Sequence, residues 1–427
     1  MSKNFLKLGV APHLIKKLEE RGITGPTDIQ NKIIPRLFAG ESVFFSSATG
    51  TGKTFAYLLP LLSKLPEEIS GKRSPETQKR MDVSPQILIL APTLELCRQI
   101  FTELEFLLQN QPEADMSNQI RSSLVIGSVN PDRQIESLKK TRPDIIVGNT
   151  GRVLALAKKG IIKLNPNVLI LDEADRLVND ELSGELNELC KMIMRGSRKN
   201  SENLTIAACS ATMNKKNREK ILFSVFQSDK INIPFIESDS NEIIRDKIEH
   251  WAIFSERRRK DQTLRSLLAA VKTKKKKIKA LIFTSRSDEA GFILTRLQHH
   301  HVPAAGLFGK MSKKPVSSQE RKEALDAFRQ GSVDALVSTD LAARGLDIPG
   351  ITLVIALDVP SDSEVYIHRC GRTARAGKHG IMVTIGDETQ MRLLALLEKK
   401  LKIKVLPKEL HYGEVCAPLL VEEDENN

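Results

Sequence analysis

With 427 residues, the chain is long enough for two ordinary α/β domains and too long for one simple core. It has no run of roughly 18 uncharged apolar residues, and its N-terminus lacks the apolar segment of a signal peptide, so we expect a cytoplasmic protein without membrane spans. The formal net charge of +12 favours a polyanionic partner, although basic surfaces are as common in proteins that bind no nucleic acid.

Cysteine and aromatic content limit the chemistry further. The five cysteines are odd in number, far apart and never in a Cys-x-x-Cys pair, which argues against a zinc site and a disulfide framework and predicts free thiols. Aromatic residues make up only 4% of the chain, so any nucleic acid would be held mainly by its backbone and not by base stacking. The cysteines are Cys97, Cys190, Cys209, Cys370 and Cys416.

Short apolar runs separated by helical stretches recur along the chain. Continuous runs of this kind predict parallel strands buried on both faces, so we expect an α/β protein with two parallel sheets, each covered by helices on both faces. In the first half the runs are residues 42–46, 86–91, 123–127, 144–148, 167–171 and 204–208. In the second half they are residues 279–283, 334–338, 351–357 and 380–386.

Residues 228–245 separate the two series of runs. This segment is polar and charged, contains one proline and has no helical period, which is typical of a linker. We place the domain boundary near residue 235, between an N-terminal domain of residues 1–235 and a C-terminal domain of residues 236–427. Because ligands of open parallel sheets bind at the carboxyl ends of the strands, functional residues are expected directly after the apolar runs.

A glycine-rich turn follows the first apolar run in the sequence SATGTGKTFAYLLPLL, residues 47–62, and leads into an apolar-periodic helix. Gly50 and Gly52 allow backbone N–H groups to surround a triphosphate, Lys53 reaches the β- and γ-phosphates, and the Thr54 hydroxyl faces Mg²⁺. The turn predicts binding of ATP or GTP, with Lys53 also acting in catalysis. Its expected nucleotide-binding residues are Ser47, Ala48, Thr49, Gly50, Thr51, Gly52, Lys53 and Thr54.

Two carboxylates directly follow the apolar run at 167–171. Nucleotide hydrolysis needs a carboxylate for magnesium and a group that orients the attacking water, and a strand end is a suitable place for both. Asp172 would hold Mg²⁺, mainly through water, and Glu173 would orient and activate the water. Acidic clusters at strand ends are often only solvated turns, but the glycine-rich turn upstream favours the catalytic interpretation.

The sequence LDEAD at 171–175, followed by SAT at 210–212 and preceded by the glycine-rich turn, resembles the DEAD-box family of ATP-dependent RNA helicases. The resemblance covers nearly the whole chain. It implies two RecA-like domains in tandem that hydrolyse ATP with Mg²⁺, close on RNA, and locally unwind duplexes or remodel ribonucleoprotein particles. It also implies that Ser210 and Thr212 couple the two domains.

The segment GITGPTDIQ at 22–30 resembles the Q motif of the same family. There Gln30 would read the edge of adenine, because an amide can donate and accept a hydrogen bond at once, and this would select ATP over GTP. Phe5 lies seventeen residues before Gly22, where the family has an isolated aromatic residue that stacks on the base. An ordinary core position is the alternative for Phe5.

The segment YIHRCGRTARAG at 366–377 resembles the last helicase motif of the family. Arg372 and Arg375 are three residues apart, so on a helix they would share a face. The resemblance implies that both are arginine fingers, which reach the γ-phosphate only when the domains close. His368, also a catalytic candidate, and Arg369 would link this segment to Asp172 and the SAT region of the first domain.

Further segments resemble the RNA-binding motifs of the family. In STDLAARGLDIP at 338–349, Asp347 would bind the ribose, Thr339 an RNA phosphate, and Arg344 both RNA and the other domain. The other RNA-side candidates are Thr93, Glu95, Arg152 and Arg321. The chain departs from the family pattern at Leu94 (usually Arg), Ser128 (usually Gly), Asn149-Thr150 (usually Thr-Pro) and Ser318 (usually Gln), and on the ATP side mainly at Ser47 (usually Ala).

Because most departures lie on the RNA side, two alternatives to a helicase stay open: an ATP-gated clamp that holds RNA without unwinding it, and a DNA translocase on the same fold. The expected cofactors are ATP and Mg²⁺. The expected partners are RNA, bound through its backbone without sequence preference, and ribosomal or ribonucleoprotein proteins; the chain itself is expected to be monomeric. The insertion at 67–85 and the lysine-rich run at 272–279 are interpreted as polar loops.

Overall fold

The computed structural model describes residues 3–47, 50–70, 83–109, 119–179, 182–196, 204–211, 213–227, 231–238, 246–272, 278–311, 314–315, 317–343, 348, 350–374 and 379–418. The chain forms two compact units, Met1–Ser238 and Asp239–Asn427. No helix in the described ranges combines the length and the apolar character needed to cross a bilayer.

Seven strands form the sheet of the first unit: β1 (Val43–Ser46), β2 (Ile87–Ala91), β3 (Ser122–Val125), β4 (Ile145–Asn149), β5 (Val168–Asp172), β6 (Thr205–Ser210) and β7 (Phe235–Glu237). All neighbours pair in parallel, in the order β3-β4-β2-β5-β6-β1-β7. Since β5, β6 and β1 are adjacent, their carboxyl ends lie side by side at one edge of the sheet.

The helices of the first unit are α1 (Lys3–Lys7), α2 (Pro12–Glu20), α3 (Asp28–Phe38), α4 (Lys53–Ser70), α5 (Leu94–Leu108), α6 (Pro131–Thr141), α7 (Thr150–Lys158), α8 (Ala174–Leu177), α9 (Ser183–Gly196) and α10 (Lys215–Phe226). Polar side chains cap several of them. Thr27 and Gln30 form a capping box at α3, and Thr93, Asn130 and Asn214 accept backbone N–H groups at α5, α6 and α10. These caps satisfy N–H groups that have no partner within the helix and fix where each helix begins.

Alternate residues of each central strand enter opposite apolar layers. In β2, Ile87 and Ile89 belong to one buried cluster and Leu88 and Leu90 to the other. Every residue of this strand is buried, which accounts for the continuous apolar runs in the sequence.

The strands of the second unit are β8 (Ile248–Phe254), β9 (Ala280–Thr284), β10 (Ala304–Leu307), β11 (Lys310–Met311), β12 (Lys314–Pro315), β13 (Ala335–Thr339), β14 (Leu353–Ala356), β15 (Gly380–Gly386), β16 (Val405–Pro407), β17 (Glu409–His411) and β18 (Glu414–Cys416). Seven of them form a parallel sheet in the order β10-β13-β9-β14-β15-β8-β16, while β11–β12 and β17–β18 are antiparallel pairs. The helices are α11 (Lys260–Val271), α12 (Ser287–His299), α13 (Ser318–Gln330), α14 (Asp340–Ala343), α15 (Ser363–Cys370) and α16 (Glu388–Leu401).

The predicted fold class, two parallel sheets with helices on both faces, is confirmed, and every predicted apolar run overlaps a strand. The sequence did not reveal β7, β8, β10 or β16, because they are short or mix polar with apolar residues. The predicted linker is partly wrong: Phe235–Glu237 pairs with β1 as an edge strand of the first sheet. The two units divide between Ser238 and Asp239.

Candidate active site

The glycine-rich turn that is predicted to bind phosphate, residues 47–52, is called the phosphate-binding turn and connects β1 to α4. Gly50 and Gly52 have φ of 82° and 89°, in the left-handed region that glycine adopts without strain. Helix α4 begins at Lys53, so its N-terminal end, which favours an anion, lies directly next to the glycine turn. The local backbone therefore has the conformation that the predicted phosphate site requires.

Two side-chain hydrogen bonds hold this turn together. The Lys53 ammonium donates a hydrogen bond to the Ser47 carbonyl oxygen at 2.6 Å, and the Ser47 hydroxyl donates to the Thr51 hydroxyl at 2.7 Å. Ser47 is fully buried, so its hydroxyl takes part in the packing of the turn. Ala48 and Thr49, also predicted to bind nucleotide, lie outside the described residues.

Gln30 braces the phosphate-binding turn. Its side-chain Oε1 accepts from the Thr27 N–H at 3.0 Å, and its Nε2 donates to the Gly52 carbonyl at 3.0 Å. The Thr27 hydroxyl donates to the Thr51 carbonyl at 2.8 Å, and any side chain at position 52 would collide with the Gln30 amide. The amide retains a second N–H and a second lone pair, so recognition of adenine stays a prediction.

Phe5 lies in the core of the first unit. Its ring is 0% exposed and belongs to the apolar core cluster. This burial agrees with the alternative that the sequence left open, an ordinary core position. Stacking of the Phe5 ring on the base stays a prediction.

Asp172 ends β5 and is 4% exposed. Its Oδ2 accepts a hydrogen bond from the Tyr57 hydroxyl at 2.8 Å. Its Oδ1 accepts one from the Cys209 thiol at 3.2 Å and one from the backbone N–H of Glu173 at 2.9 Å. Three donors, one from α4, one from β6 and one from the backbone directly after β5, thus bind one buried carboxylate.

Burial and charge determine how the groups around Asp172 ionise. Burial raises the pKa of the Asp172 carboxyl, and the positive charge of Lys53 partly offsets this shift. Burial lowers the pKa of the Lys53 ammonium. Nearby negative groups, Asp172 among them, oppose this shift. Burial also raises the pKa of Tyr57 and of Cys209 well above their usual values, so both are protonated and can donate at neutral pH.

Glu173 follows Asp172 in an unusual backbone conformation. Its φ of 47° and ψ of 50° lie in the left-handed region, which is uncommon for a residue other than glycine and is often found at functional sites. Its Oε2 accepts a hydrogen bond from Arg176 Nη1 at 2.8 Å, and both side chains are mostly buried. The carboxylate is thereby held in one orientation by the residue one turn later.

The ends of β1 and β6 are joined directly. The backbone N–H of Ser47 donates to the Ser210 carbonyl at 3.2 Å, and the Ser46 hydroxyl donates to the Ala211 carbonyl at 3.1 Å. The SAT segment therefore contacts the beginning of the phosphate-binding turn. Ser210 is fully buried, Thr212 lies outside the described residues, and a coupling role for either stays a prediction.

On the RNA side of the first unit, Thr93 accepts the Leu96 N–H at 3.2 Å and so caps α5. Glu95 lies in the first turn of that helix. Arg152 is oriented by two hydrogen bonds, from its Nε to Gln134 Oε1 at 2.7 Å and from its Nη2 to a backbone carbonyl in the loop before α6 at 3.4 Å. The geometry leaves the predicted RNA contacts of these residues untested.

Arg98 is a basic residue that sequence reasoning missed. It lies one helical turn after Leu94, the position where the family usually has arginine, and so shares its face of α5. Its Nη2 donates to the Ser128 hydroxyl at 2.9 Å. Arg98 thus supplies a positive charge next to the two departures from the family pattern at Leu94 and Ser128.

The departure at Asn149-Thr150 has a physical consequence. Asn149 is the N-cap residue of α7 but makes no side-chain cap, and Thr150 is the first residue of the helix. Within the part of the chain that the structure describes, the buried Asn149 Oδ1 and Thr150 Oγ1 have no hydrogen-bond partner. Such atoms cost about 1–3 kcal/mol each, so this helix start is imperfectly satisfied.

Arg369 is buried within the second unit. Its side chain is 1% exposed, and its guanidinium donates to both Asp340 carboxylate oxygens at 2.7 Å and to the Asp358 carboxylate and carbonyl at 2.8 Å. These carboxylates compensate the charge of the buried guanidinium. The link from Arg369 to the first domain stays a prediction.

Arg372 does not lie on the helix that was expected to carry it. Helix α15 ends at Cys370 with Gly371 as its C-cap, so Arg372 lies in the turn that follows. The Arg372 side chain is mostly buried, and His368 is half-buried in the last turn of α15. Arg375 lies outside the described residues, and its role as an arginine finger stays a prediction.

The remaining RNA-side candidates of the second unit are partly described. Thr339 ends β13 and is mostly buried, and Arg321 is half-buried on α13. Arg344 and Asp347 lie outside the described residues. Among the described residues, no group of three or more His, Cys, Asp or Glu side chains could hold a metal.

Comparison with known proteins identifies the family. The DEAD/DEAH box helicase model matches residues 27–221, and the helicase conserved C-terminal domain matches residues 259–377. Over 403 residues the chain is 32% identical to the DEAD-box ATP-dependent RNA helicase CshC of Bacillus cereus, covering 94% of this chain and 92% of that protein. This chain belongs to the DEAD-box family of ATP-dependent RNA helicases.

Further comparisons agree with this membership. The chain is 31% identical over 385 residues to the probable ATP-dependent RNA helicase YfmL of Bacillus subtilis, covering 90% of this chain and 91% of that protein. The structure of S. cerevisiae Dbp5 bound to RNA and ADP BeF3 matches with a TM-score of 0.74 and 26% identity, covering 95% of this chain and 96% of that one. The predicted pair of RecA-like domains is thereby confirmed.

The structure of this DEAD-box helicase also contains site residues that sequence reasoning missed. Tyr57 lies three residues after Thr54, and this spacing could have placed it on the same face of α4. Cys209 directly precedes Ser210, and Arg176 lies one turn after Glu173. Each therefore adjoins a motif that was recognised, but its contact with the motif depends on the packing of strands and helices.

Proposed function

We propose that the first unit binds and hydrolyses ATP at the ends of β1, β5 and β6. Lys53 binds the β- and γ-phosphates, and Glu173 orients the attacking water and takes up its proton. The observation that carries this proposal is that the Lys53 ammonium is held at 2.6 Å by the Ser47 carbonyl within a glycine turn in the left-handed conformation, while β5 places the buried Asp172 carboxylate at the same edge of the sheet. An ammonium and a carboxylate beside an anion-binding turn are suited to a nucleotide-metal complex.

We propose that Thr54 and Asp172 face the Mg²⁺ that accompanies ATP. Hydroxyl and carboxylate oxygens are the hard ligands that Mg²⁺ prefers, and the ion keeps several of its waters, so few protein ligands suffice. The raised pKa of Asp172 supports the assignment, because a buried carboxylate that lacks full compensation favours a cation beside it. When bound, Mg²⁺ neutralises the charge on the phosphates.

RNA is proposed to bind through its phosphates and sugars. The proposed contacts in the first unit are Thr93, Glu95 and Arg152, and those in the second are Arg321, Thr339 and Arg344. Backbone contacts carry no base sequence information, while the 2′-hydroxyl distinguishes RNA from DNA. The net charge of +12 supports a salt-dependent contribution to this binding.

We propose that ATP and RNA bind cooperatively and draw the two units together. Arg372 and Arg375 then reach the γ-phosphate, with His368 beside them and Asp347 on the ribose, so that hydrolysis depends on closure. Closure bends one RNA strand and opens a short duplex, and hydrolysis with phosphate release resets the protein. A monomeric state, a cytoplasmic location and ribosomal or ribonucleoprotein partners belong to the same proposal.

The choice of nucleic acid is tested by the ATPase activity of the intact chain with a panel of RNA and DNA cofactors. We expect single-stranded RNA to stimulate hydrolysis and DNA of the same sequence to have little effect, because the 2′-hydroxyls are missing. Lys53→Ala is the negative control, since it removes the phosphate-binding ammonium. Equal stimulation by DNA would support a DNA translocase and contradict the proposal.

An ATP-gated RNA clamp is a second candidate function. The observations that favour it are the departures from the family pattern at Leu94, Ser128 and Asn149, together with the unpartnered buried Oδ1 of Asn149. Strand displacement on a short RNA duplex, measured beside the RNA-stimulated ATPase rate, separates the two. Hydrolysis with displacement supports the helicase, whereas RNA-stimulated hydrolysis without displacement supports the clamp.

A further inference from the structure

The buried surroundings of Asp172 contain two donors that the proposed mechanism does not use. Tyr57 and Cys209 are both 0% exposed and both belong to the apolar core of the first unit. Phenylalanine and alanine would fill these core positions without any polar atom to satisfy. The Tyr57 hydroxyl and the Cys209 thiol nevertheless both point at the same carboxylate.

The two donors bind different oxygens of the Asp172 carboxylate. Tyr57 projects from α4 to Oδ2 at 2.8 Å, and Cys209 projects from β6 to Oδ1 at 3.2 Å. Residues Asp172 and Cys209 are also register partners in the β5–β6 pair. The carboxylate is therefore tied both to the neighbouring strand and to the helix that begins at Lys53.

Tyr57 also connects the two elements that carry the groups proposed to face Mg²⁺. Thr54 lies three residues before Tyr57 on α4, and the Tyr57 hydroxyl donates to the Asp172 carboxylate at the end of β5. The Tyr57 hydroxyl therefore ties the helix that carries Thr54 to the strand that carries Asp172.

We propose that Tyr57 and Cys209 are positioning residues that hold the Asp172 carboxylate in the orientation required for Mg²⁺. The inference rests on the proposed assignment of Asp172 to the metal. Tyr57 contributes more than Cys209, because a hydroxyl-to-carboxylate hydrogen bond is strong whereas a thiol is a weak donor. Partners that orient a metal-facing group control metal affinity without touching the metal.

The test measures how nucleotide binding by the intact chain depends on Mg²⁺. Affinity for a fluorescent ADP analogue is recorded in EDTA and across a MgCl₂ titration, alongside the thermal unfolding midpoint of each variant. For Tyr57→Phe we expect the half-saturating Mg²⁺ concentration to rise about 10-fold, with unchanged affinity in EDTA. Cys209→Ala should produce a smaller rise, and Cys209→Ser, which keeps a donor, should restore the parent value.

Tyr366→Phe is the matched control. Tyr366 is a fully buried tyrosine in the second unit, and its hydroxyl is hydrogen-bonded to His250 Nδ1 at 2.9 Å, within that unit. The control removes a buried hydroxyl of the same kind without touching Asp172. An unchanged Mg²⁺ dependence in Tyr57→Phe, or the same shift in Tyr366→Phe, would overturn the inference. If Tyr57→Phe does not fold, the comparison of Cys209→Ala with Cys209→Ser decides the question by the same criterion.

Asp172→Asn separates this inference from the assignment on which it rests. If Asp172→Asn removes the Mg²⁺ dependence while Tyr57→Phe leaves it unchanged, the positioning role fails and the magnesium assignment stands. If Asp172→Asn leaves the Mg²⁺ dependence intact, the assignment of Asp172 to the metal fails, and the inference is overturned with it.

Discussion

Replacing Glu173 with glutamine is expected to stop ATP turnover while ATP and RNA still bind. An amide has the same shape and can still accept the hydrogen bond from Arg176, but it cannot take a proton from the attacking water. The loss of general-base catalysis lowers kcat by about 10²–10⁴-fold. Because RNA release follows hydrolysis in the proposed cycle, the variant should also retain RNA in the presence of ATP.

The measurements are the RNA-stimulated ATPase rate, ATP affinity and the lifetime of the RNA complex for Glu173→Gln and the parent chain. Glu188→Gln is the matched control: Glu188 lies in the same unit and forms an exposed ion pair with Lys158 at 2.7 Å. Exposed pairs contribute little, so this variant should behave like the parent. Normal turnover in Glu173→Gln would mean that another group orients the water.

Replacing Arg375 with alanine is expected to lower kcat by about 10³–10⁵-fold with little loss of ATP affinity. An arginine finger stabilises the charge of the transition state and not of bound ATP, so its removal affects the chemical step. Arg375 is a better test than Arg372, because the Arg372 side chain is mostly buried and its removal would also disturb folding.

Steady-state ATPase kinetics and nucleotide binding by Arg375→Ala provide the measurement. The control is Arg392→Ala, since Arg392 is an exposed arginine of the second unit that pairs with Glu388 one turn away on α16. It should leave both parameters unchanged. A kcat for Arg375→Ala equal to that of the parent would refute the arginine-finger assignment.

The main strands could be predicted because burial on both faces leaves a continuous apolar run in the sequence. The apolar run at residues 86–91 predicted β2 in this way, and every residue of the strand is buried. β8 could not be recognised, because it includes Glu249, His250 and Trp251 within a strand of only seven residues. β7 is an edge strand of three residues, too short for any periodicity to appear.

The phosphate site could be predicted where its chemistry depends on neighbouring residues. The backbone of Gly50 and Gly52 and the helix start at Lys53 follow from local sequence. Long-range contacts could not be predicted in this way. Arg369 is an example. Its carboxylate partners lie 29 and 11 residues away in the sequence, and they come close to Arg369 only in the packed fold.

The same limit applies to Phe5 and Tyr57. Spacing from the Q motif predicts a functional role for Phe5, whereas only packing shows that its ring lies in the core. Tyr57 resembled an ordinary apolar residue of a helix, and its contact with Asp172, 115 residues later, depends on the tertiary fold. Motifs identify the chemistry of this site, whereas packing decides which side chains control it.

In the proposed cycle, ATP binding and RNA binding by this protein are coupled. The most direct test is the affinity of the intact chain for a fluorescently labelled single-stranded RNA, with and without a non-hydrolysable ATP analogue and Mg²⁺. We predict that the nucleotide tightens RNA binding by about 5–150-fold and that Lys53→Ala abolishes this effect. Equal RNA affinity with and without the nucleotide would contradict the account.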